Sequence, residues 1–266
     1  MGEFFKVFVF SFKKQVREFK RYPNFFLKSF FYTPFAIILP YWFTIRVFLG
    51  QDDLESLNMT FTLLLGAILW NFIYFSVIES YNIINRELNT GTIELIYLSP
   101  ASRIAWLLGS SFAPSLMFLF SLGAVTTLFY FLFRLSVTIN LWTFSIALLM
   151  TVISSWSMSL MVFILTIWLK KIFNVLNFSL EVIAIFVGIL YPVTYLPIYI
   201  RWISYCIPVT YGISLIRESF MSGYSSHILL DIVALSVLTV IYMAFSVTFF
   251  TRLERRLKNN GNFLKF

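Results

Sequence analysis

Charge is scarce in this sequence. Of 266 residues only 12% are Asp, Glu, Lys or Arg, 59% are hydrophobic, and the mean hydropathy is +0.85. A soluble domain of this length carries about twice that share of charge, so there is too little polar surface to cover a water-exposed globule. Cysteine is nearly absent. With Cys206 alone, an intrachain disulfide and a thiolate cage around a metal are both excluded. Histidine is represented by His227 alone, which leaves a zinc-dependent intramembrane enzyme without the set of ligands it needs. Catalytic signatures are missing as well. There is no Gly-x-x-x-x-Gly-Lys-Ser/Thr phosphate loop, no Gly-x-Ser-x-Gly nucleophile elbow, and no carboxylate pair at helical spacing within an apolar run. The chain is therefore expected to carry no catalytic residues, no metal site and no nucleotide site of its own.

What is present is a series of long charge-free runs. They far exceed strand length and predict an all-α membrane protein with six transmembrane helices in one transmembrane domain, residues 1–266. The spans fall at 29–48, with Arg46 near the end; at 56–78, continuing to 84; within 104–133; within 135–169; at 172–191, containing Glu181; and at 232–251. Each supplies the roughly 20 residues that cross about 30 Å of hydrocarbon. Six spans put both termini on one side. Of the 20 Lys and Arg, all but Arg46, Arg134, Arg201 and Arg217 lie on that side, before the first span, in the second-to-third and fourth-to-fifth connections and in the tail at 252–266. The opposite side holds the acidic trio Asp52, Asp53 and Glu55. The bias makes both termini cytoplasmic in a multi-pass cell membrane protein, and it accounts for the net charge of +8 without nucleic acid. The basic lead of residues 1–28 is long, a full span follows, and no Ala-x-Ala site comes after it, so an uncleaved first span is expected.

Within that lead, Phe5, Phe8, Phe12, Val16 and Phe19 recur every three or four residues, with Lys6, Lys13, Arg17, Lys20 and Arg21 mostly opposite. This predicts an amphipathic helix in the inner interface, attracted to membrane lipid and broken at Pro23; a helix packed on the protein's own flank is the other reading. Before the last span, residues 192–227 are apolar yet punctuated by Pro192, Pro197, Pro208, Gly212 and Gly223, and filled with Tyr and Trp. Proline favours helix starts, so short helices are expected near Ile198 and Val209. They form a re-entrant extracellular hairpin or an interfacial cap over the bundle.

Ionisable groups in apolar surroundings stand out. Glu181 in the fifth span is costly in lipid; a substrate path, a basic partner, protonation and solvent exposure are all open to it. Glu79 reads as a structural hydrogen-bonding group. Arg46 and Arg134 can snorkel outward, Arg217 and Glu218 read as a local outer-face pair worth little, and Cys206 as a small hydrophobe. The 33 Phe read as lipid-facing bulk ahead of a substrate cavity.

The most informative stretch is a polar island, Asn85 to Pro100, between the second and third apolar runs. Asn89-Thr90-Gly91-Thr92 is a turn and helix-start signal, with Thr92 able to cap and Glu94 in the first turn. Ile93, Ile96 and Tyr97 make an apolar stripe on a short cytoplasmic helix, and Ser99 as N-cap with Pro100 behind it starts the next helix. This island resembles the signature after the second span of type-2 ABC exporter permeases: Glu87, Gly91-Thr92, Glu94 and then Ser99-Pro100-Ala101-Ser102-Arg103, with Ile96 where Leu is usual. The segment from Leu196-Pro197 through Pro208-Val209-Thr210-Tyr211-Gly212 to Arg217 is similar to the re-entrant region of the same family, more weakly.

The resemblance implies that the coupling loop at 85–103 docks on separate ABC ATPase subunits through Glu87, Gly91, Thr92, Glu94, Ser99 and Pro100. ATP and Mg would bind on that partner and no cofactor on this chain. A second permease chain, identical or paralogous, would complete an exporter in the inner membrane. The alternative class is an ATP-independent polytopic membrane protein, a lipid-modifying enzyme or facilitator, for which paired intramembrane acids or inverted repeats would speak. An ABC importer component is a third reading.

Overall fold

The computed structural model describes residues 2–21, 54–133, 140–169, 172–189, 193–220 and 228–259, and these are all-helical, without strands. The first expected span, together with Arg46, Arg134 and His227, lies outside the described residues. In chain order the helices are α1 (Gly2–Arg21), α2 (Leu54–Asn89), α3 (Thr92–Leu98), α4 (Arg103–Phe133), α5 (Leu141–Leu169), α6 (Phe173–Phe186), α7 (Ile198–Tyr205), α8 (Pro208–Ser219) and α9 (Ile228–Asn259), with a 3-10 turn at Val193–Tyr195. Segments of α2, α5 and α9 are long and apolar enough to cross a membrane. Helix α4 runs 31 residues with no Asp, Glu, Lys or Arg after Arg103.

Helix α5 is the axis of the bundle. Helices α2, α4, α8 and α9 all pack on it. Its buried face is built from small hydroxyl residues, with Ser154, Ser155 and Ser157 wholly enclosed. Lipid is as apolar as Leu, so helices in it associate through close packing and hydrogen bonds rather than through hydrophobic exclusion. The contacts here are of that kind. Ser159 Oγ donates to the Ser76 carbonyl of α2 at 3.3 Å, Ser246 Oγ of α9 donates to the Ser157 carbonyl at 2.9 Å, and Trp156 Nε1 donates to Ser115 Oγ of α4 at 3.2 Å. Between α2 and α4, Ser80 and Ser111 hydroxyls lie 3.2 Å apart. Gly212 brings α8 against α5 so closely that a Cβ there would strike the Thr151 hydroxyl.

Three elements differ from the sequence-based expectation. The fifth span, expected at 172–191, is the 14-residue helix α6, about 21 Å long at 1.5 Å per residue. It ends in a turn where Gly188 takes φ 74°. The run is uniformly apolar, so composition alone carries no stop signal. The freed carbonyls at that end find a donor from far along the chain: Arg217 of α8 gives Nη1 to the Gly188 carbonyl at 2.9 Å and Nη2 to that of Ile189. Its guanidinium lies against Gly66 of α2, where a Cβ would displace it. Arg217 thus points into the protein and ties three elements together, beyond the local pair with Glu218 expected of it.

Helix α1 packs along α4. Phe8 meets Phe112 at a tilt and Phe12 meets it edge-on, at centroid distances of 5.6 and 5.7 Å, and Gly109 admits the backbone of α1, since a Cβ there would meet the Phe8 carbonyl. The deepest positions of α1 are Ser11, Gln15 and Phe19, while Phe4, Phe5 and Phe10 stay exposed. One face is clasped by the protein and another remains open. Finally, the tail expected from residue 252 continues as helix to Asn259.

Helices α7 and α8 begin at Ile198 and Pro208, directly after Pro197 and at a proline in the first turn, as fixed proline φ favours. Helix α8 is mostly buried, whereas α7 exposes Ile198, Tyr199, Trp202 and Ile203. Cys206, at the end of α7, is exposed.

Candidate functional site

The polar island forms one folded unit at the end of α2. After Asn89 the chain turns: Thr90 N–H bonds the Arg86 carbonyl at 3.0 Å and Gly91 N–H that of Leu88 at 3.2 Å. Gly91 takes φ 69°, a left-handed conformation that a residue with a Cβ resists. That reversal aims α3 away from the axis of α2. Gly91 is exposed and occupies the N-cap position with no side-chain cap, so the capping expected of Thr92 is not what the structure shows. Thr92 is already inside the helix, and its hydroxyl turns back to the Glu87 carboxylate and to Thr90 Oγ1, the latter at 2.8 Å.

The far end also differs from expectation. Ser99 closes α3, its N–H bonding the Leu95 carbonyl at 3.1 Å and its hydroxyl that of Ile96 at 2.9 Å. The next helix is started by Ser102, whose Oγ accepts from Ala105 N–H at 3.4 Å. The chain prefers this arrangement because Pro100 lacks the N–H to bond within a helix but tolerates an extended link. Pro100 is exposed in that link.

A charged network anchors the unit. Glu79 is 2% exposed, and its carboxylate accepts Asn82 Nδ2 at 3.2 Å and Arg86 Nη2 at 3.1 Å. Arg86 also faces Glu18 of α1 at 3.6 Å. One residue on, Glu87 pairs with Lys14 of α1 at 2.5 Å. Opposite charges thus alternate from the buried end of α2 out to α1, and Glu87 joins α1, α2 and α3 through Lys14 and Thr92. The Glu87 carboxylate is 12% exposed and turned toward α1 and α3.

On α3 the apolar residues divide. Ile93 is buried and Ile96 packs beside it in a small core with Ile83, Ile84, Trp106 and Phe163. Leu95 and Leu98 point out, 66% and 82% exposed. The side chains of Glu94 and Tyr97 lie outside the described residues.

The structure therefore brings Glu87, Gly91 and Thr92 together, leaves Ser99 and Pro100 at the far end of the same short helix, and sets Glu181 apart on exposed α6 surface. Lys14 and Glu18 were not singled out from the sequence. They sit four apart on α1, an ordinary helical ion-pair spacing, and only the fold reveals that they face Arg86 and Glu87. Leu95 and Leu98 were missed because an exposed leucine has no local signature.

A family model described as ABC-2 type transporter matches residues 6–221, from α1 through α8. A comparison with curated proteins finds no match.

Proposed function

The chain belongs to the ABC-2 type transporter family, whose members of this kind are membrane subunits, and from that premise we propose that it is the permease of an ATP-driven exporter worked by separate ABC ATPase subunits through α3. The observation that carries the reading is the pair of exposed leucines on a short, rigidly held helix in a charged setting. Leu95 and Leu98 project from the end of the bundle where Lys14, Glu18, Arg86 and Glu87 gather. That setting is polar and foreign to lipid tails, so an apolar knob there fits a groove on a soluble protein. A push on α3 passes to α2 across Gly91 and the Glu87–Thr92 contact, and to α1 through Lys14. From α2 it reaches the α5 axis.

In this reading the residues divide by role. Leu95, Leu98, Glu94 and Pro100 meet the ATPase; Glu87, Gly91, Thr92 and Ser99 hold the docking helix. ATP and Mg belong to the partner, and a second permease chain completes the path in the cytoplasmic membrane with both termini inside. Membership of the family favours this reading over an ATP-independent facilitator or lipid-modifying enzyme.

The test is a pull-down of the tagged chain from native membranes, with the eluate assayed for ATPase activity and its subunits identified. A P-loop ATPase co-purifies with the wild type and is lost from Leu95→Asp/Leu98→Asp and reduced in Glu94→Lys, while both variants stay folded by size-exclusion chromatography. A well-folded wild-type preparation that brings no ATPase sinks the proposal. Accumulation of substrate inside inverted vesicles on ATP addition supports export, and depletion from them refutes it.

A further inference from the structure

Helix α6 is apolar along its core side, and its outer side sets polar groups among exposed apolar ones. Leu176 and Leu180 are buried against the chain. On the opposite face, at helical spacings of three and four, come Asn174, Phe178, Glu181 and Ile185, all exposed, with half-buried Asn177 at the edge of the stripe. Glu181 lies eight residues past the start of α6, about 12 Å along the helix, so it is no end-of-helix charge. Tyr74 of α2 donates its hydroxyl to Asn177 Oδ1, which turns the amide so that Asn177 Nδ2 donates to Glu181 Oε1 at 3.0 Å. The carboxylate is thus oriented by two other side chains. No Lys or Arg among the described residues pairs with it.

An oriented carboxylate on a hydrocarbon-facing surface is disfavoured, and such groups in membrane helices face a water-filled cavity or a partner charge. Resting on the permease reading, we propose that this outer face of α6, with Tyr74 behind it, lines the transport path and selects apolar molecules that bear a positive charge. Three features match that chemistry. Glu181 supplies the counter-charge, with Oε1 held by Asn177 and Oε2 directed to the incoming cation. Phe178, 67% exposed beside it, offers a ring face to an ammonium, guanidinium or phosphonium centre. Ile185, one turn further on and 59% exposed, continues the stripe as an apolar wall for the rest of the molecule.

The experiment measures equilibrium binding to the full-length chain in nanodiscs of zwitterionic lipid, with empty nanodiscs subtracted. The probes are tetraphenylphosphonium and tetraphenylborate, alike in shape and opposite in charge. The wild type binds the cation saturably and the anion not at all. Loss of one charge-assisted contact weakens cation binding about tenfold or more in Glu181→Gln, and Glu181→Asp retains most of it. Asn177→Leu keeps the carboxylate and removes its orienting amide, giving an intermediate loss; this variant decides the matter if Glu181→Gln does not fold. Equal affinity in the wild type and Asn177→Leu, unchanged binding in Glu181→Gln, or equal binding of the two probes overturns the proposal. So does a wild type without cation binding whose permease dimer falls apart in Glu181→Gln, because Glu181 is then an interface residue. The readout needs no ATPase, so failure of the coupling reading in the pull-down is seen separately.

Discussion

Glu87 shows how a motif residue and its role can part company. Its position in the island suggests a docking contact, yet its carboxylate is 12% exposed and held by Lys14 and Thr92. Lys14 is 42% exposed, so solvent screens the pair and its contribution to stability is on the order of 1 kcal/mol or less. The pair matters for geometry more than for stability, and this gives a prediction. Lys14→Glu and Glu87→Lys each put like charges together and lower coupled transport several-fold, with a small effect on thermal unfolding. The double exchange restores an opposite-charge pair and recovers most of the transport. Measured as a double-mutant cycle, additive losses in transport would sink the assignment of Glu87 to positioning. Neighbouring Gly91 was legible from the sequence, because a turn that needs positive φ selects glycine. The role of Thr92 was not: a cap depends on where the backbone changes hand, which happens one residue earlier than the sequence pattern suggests.

At the scale of the element, the starts of α7 and α8 proved easier to read than the end of α6. Pro197 and Pro208 fix φ where α7 and α8 begin, and the signal is local. The end of α6 depends on Arg217, 29 residues beyond Gly188, and on the space left by Gly66, so no local pattern contains it. The tie is a structural prediction in itself. Arg217→Met removes the donors from two carbonyls in an apolar setting, at a cost of about 1–3 kcal/mol for an unsatisfied buried group. Gly66→Leu expels the same guanidinium by filling its place. Each variant lowers the thermal midpoint of the purified chain in detergent, and the double variant falls little further, since both break one contact. A double variant that loses the sum of the two single losses would show that Gly66 and Arg217 act independently. Helix α1 carries the same lesson. Its amphipathic pattern was plain, but the choice of Phe8 and Phe12 for α4, with Phe4 and Phe5 left outside, rests on Gly109 in a different helix.

For the whole molecule, the all-helical membrane architecture was legible because 59% hydrophobic residues in long charge-free runs have few other solutions. Placement in the bilayer follows from length and charge together. Helix α9 has 32 residues, about 48 Å of helix, against a hydrocarbon core of about 30 Å. Roughly 12 residues must therefore project beyond the core at 1.5 Å per residue, and Arg252, Arg255, Arg256 and Lys258 make the C-terminal end the one that does so. Only 17% of its apolar window is buried within the chain, against 67% for α2, so α9 has surface to give to lipid or a second permease while α2 lies inside. The proposed topology, argued from the positive-inside bias, puts the end of α9 and the Lys14–Glu87 network on the cytoplasmic side and the exposed aromatic face of α7 on the other. Cys206 is the single native thiol, so the topology can be read on a Cys206→Ser background. In intact cells a membrane-impermeant maleimide labels Tyr199→Cys, a position 85% exposed, and leaves Arg255→Cys untouched until the membrane is opened. The reverse pattern would put α3 outside the cell, where no ATP-driven subunit could reach Leu95 and Leu98; labelling of both positions in intact cells would mean that the chain crosses an even number of times between them, against the single crossing by α9.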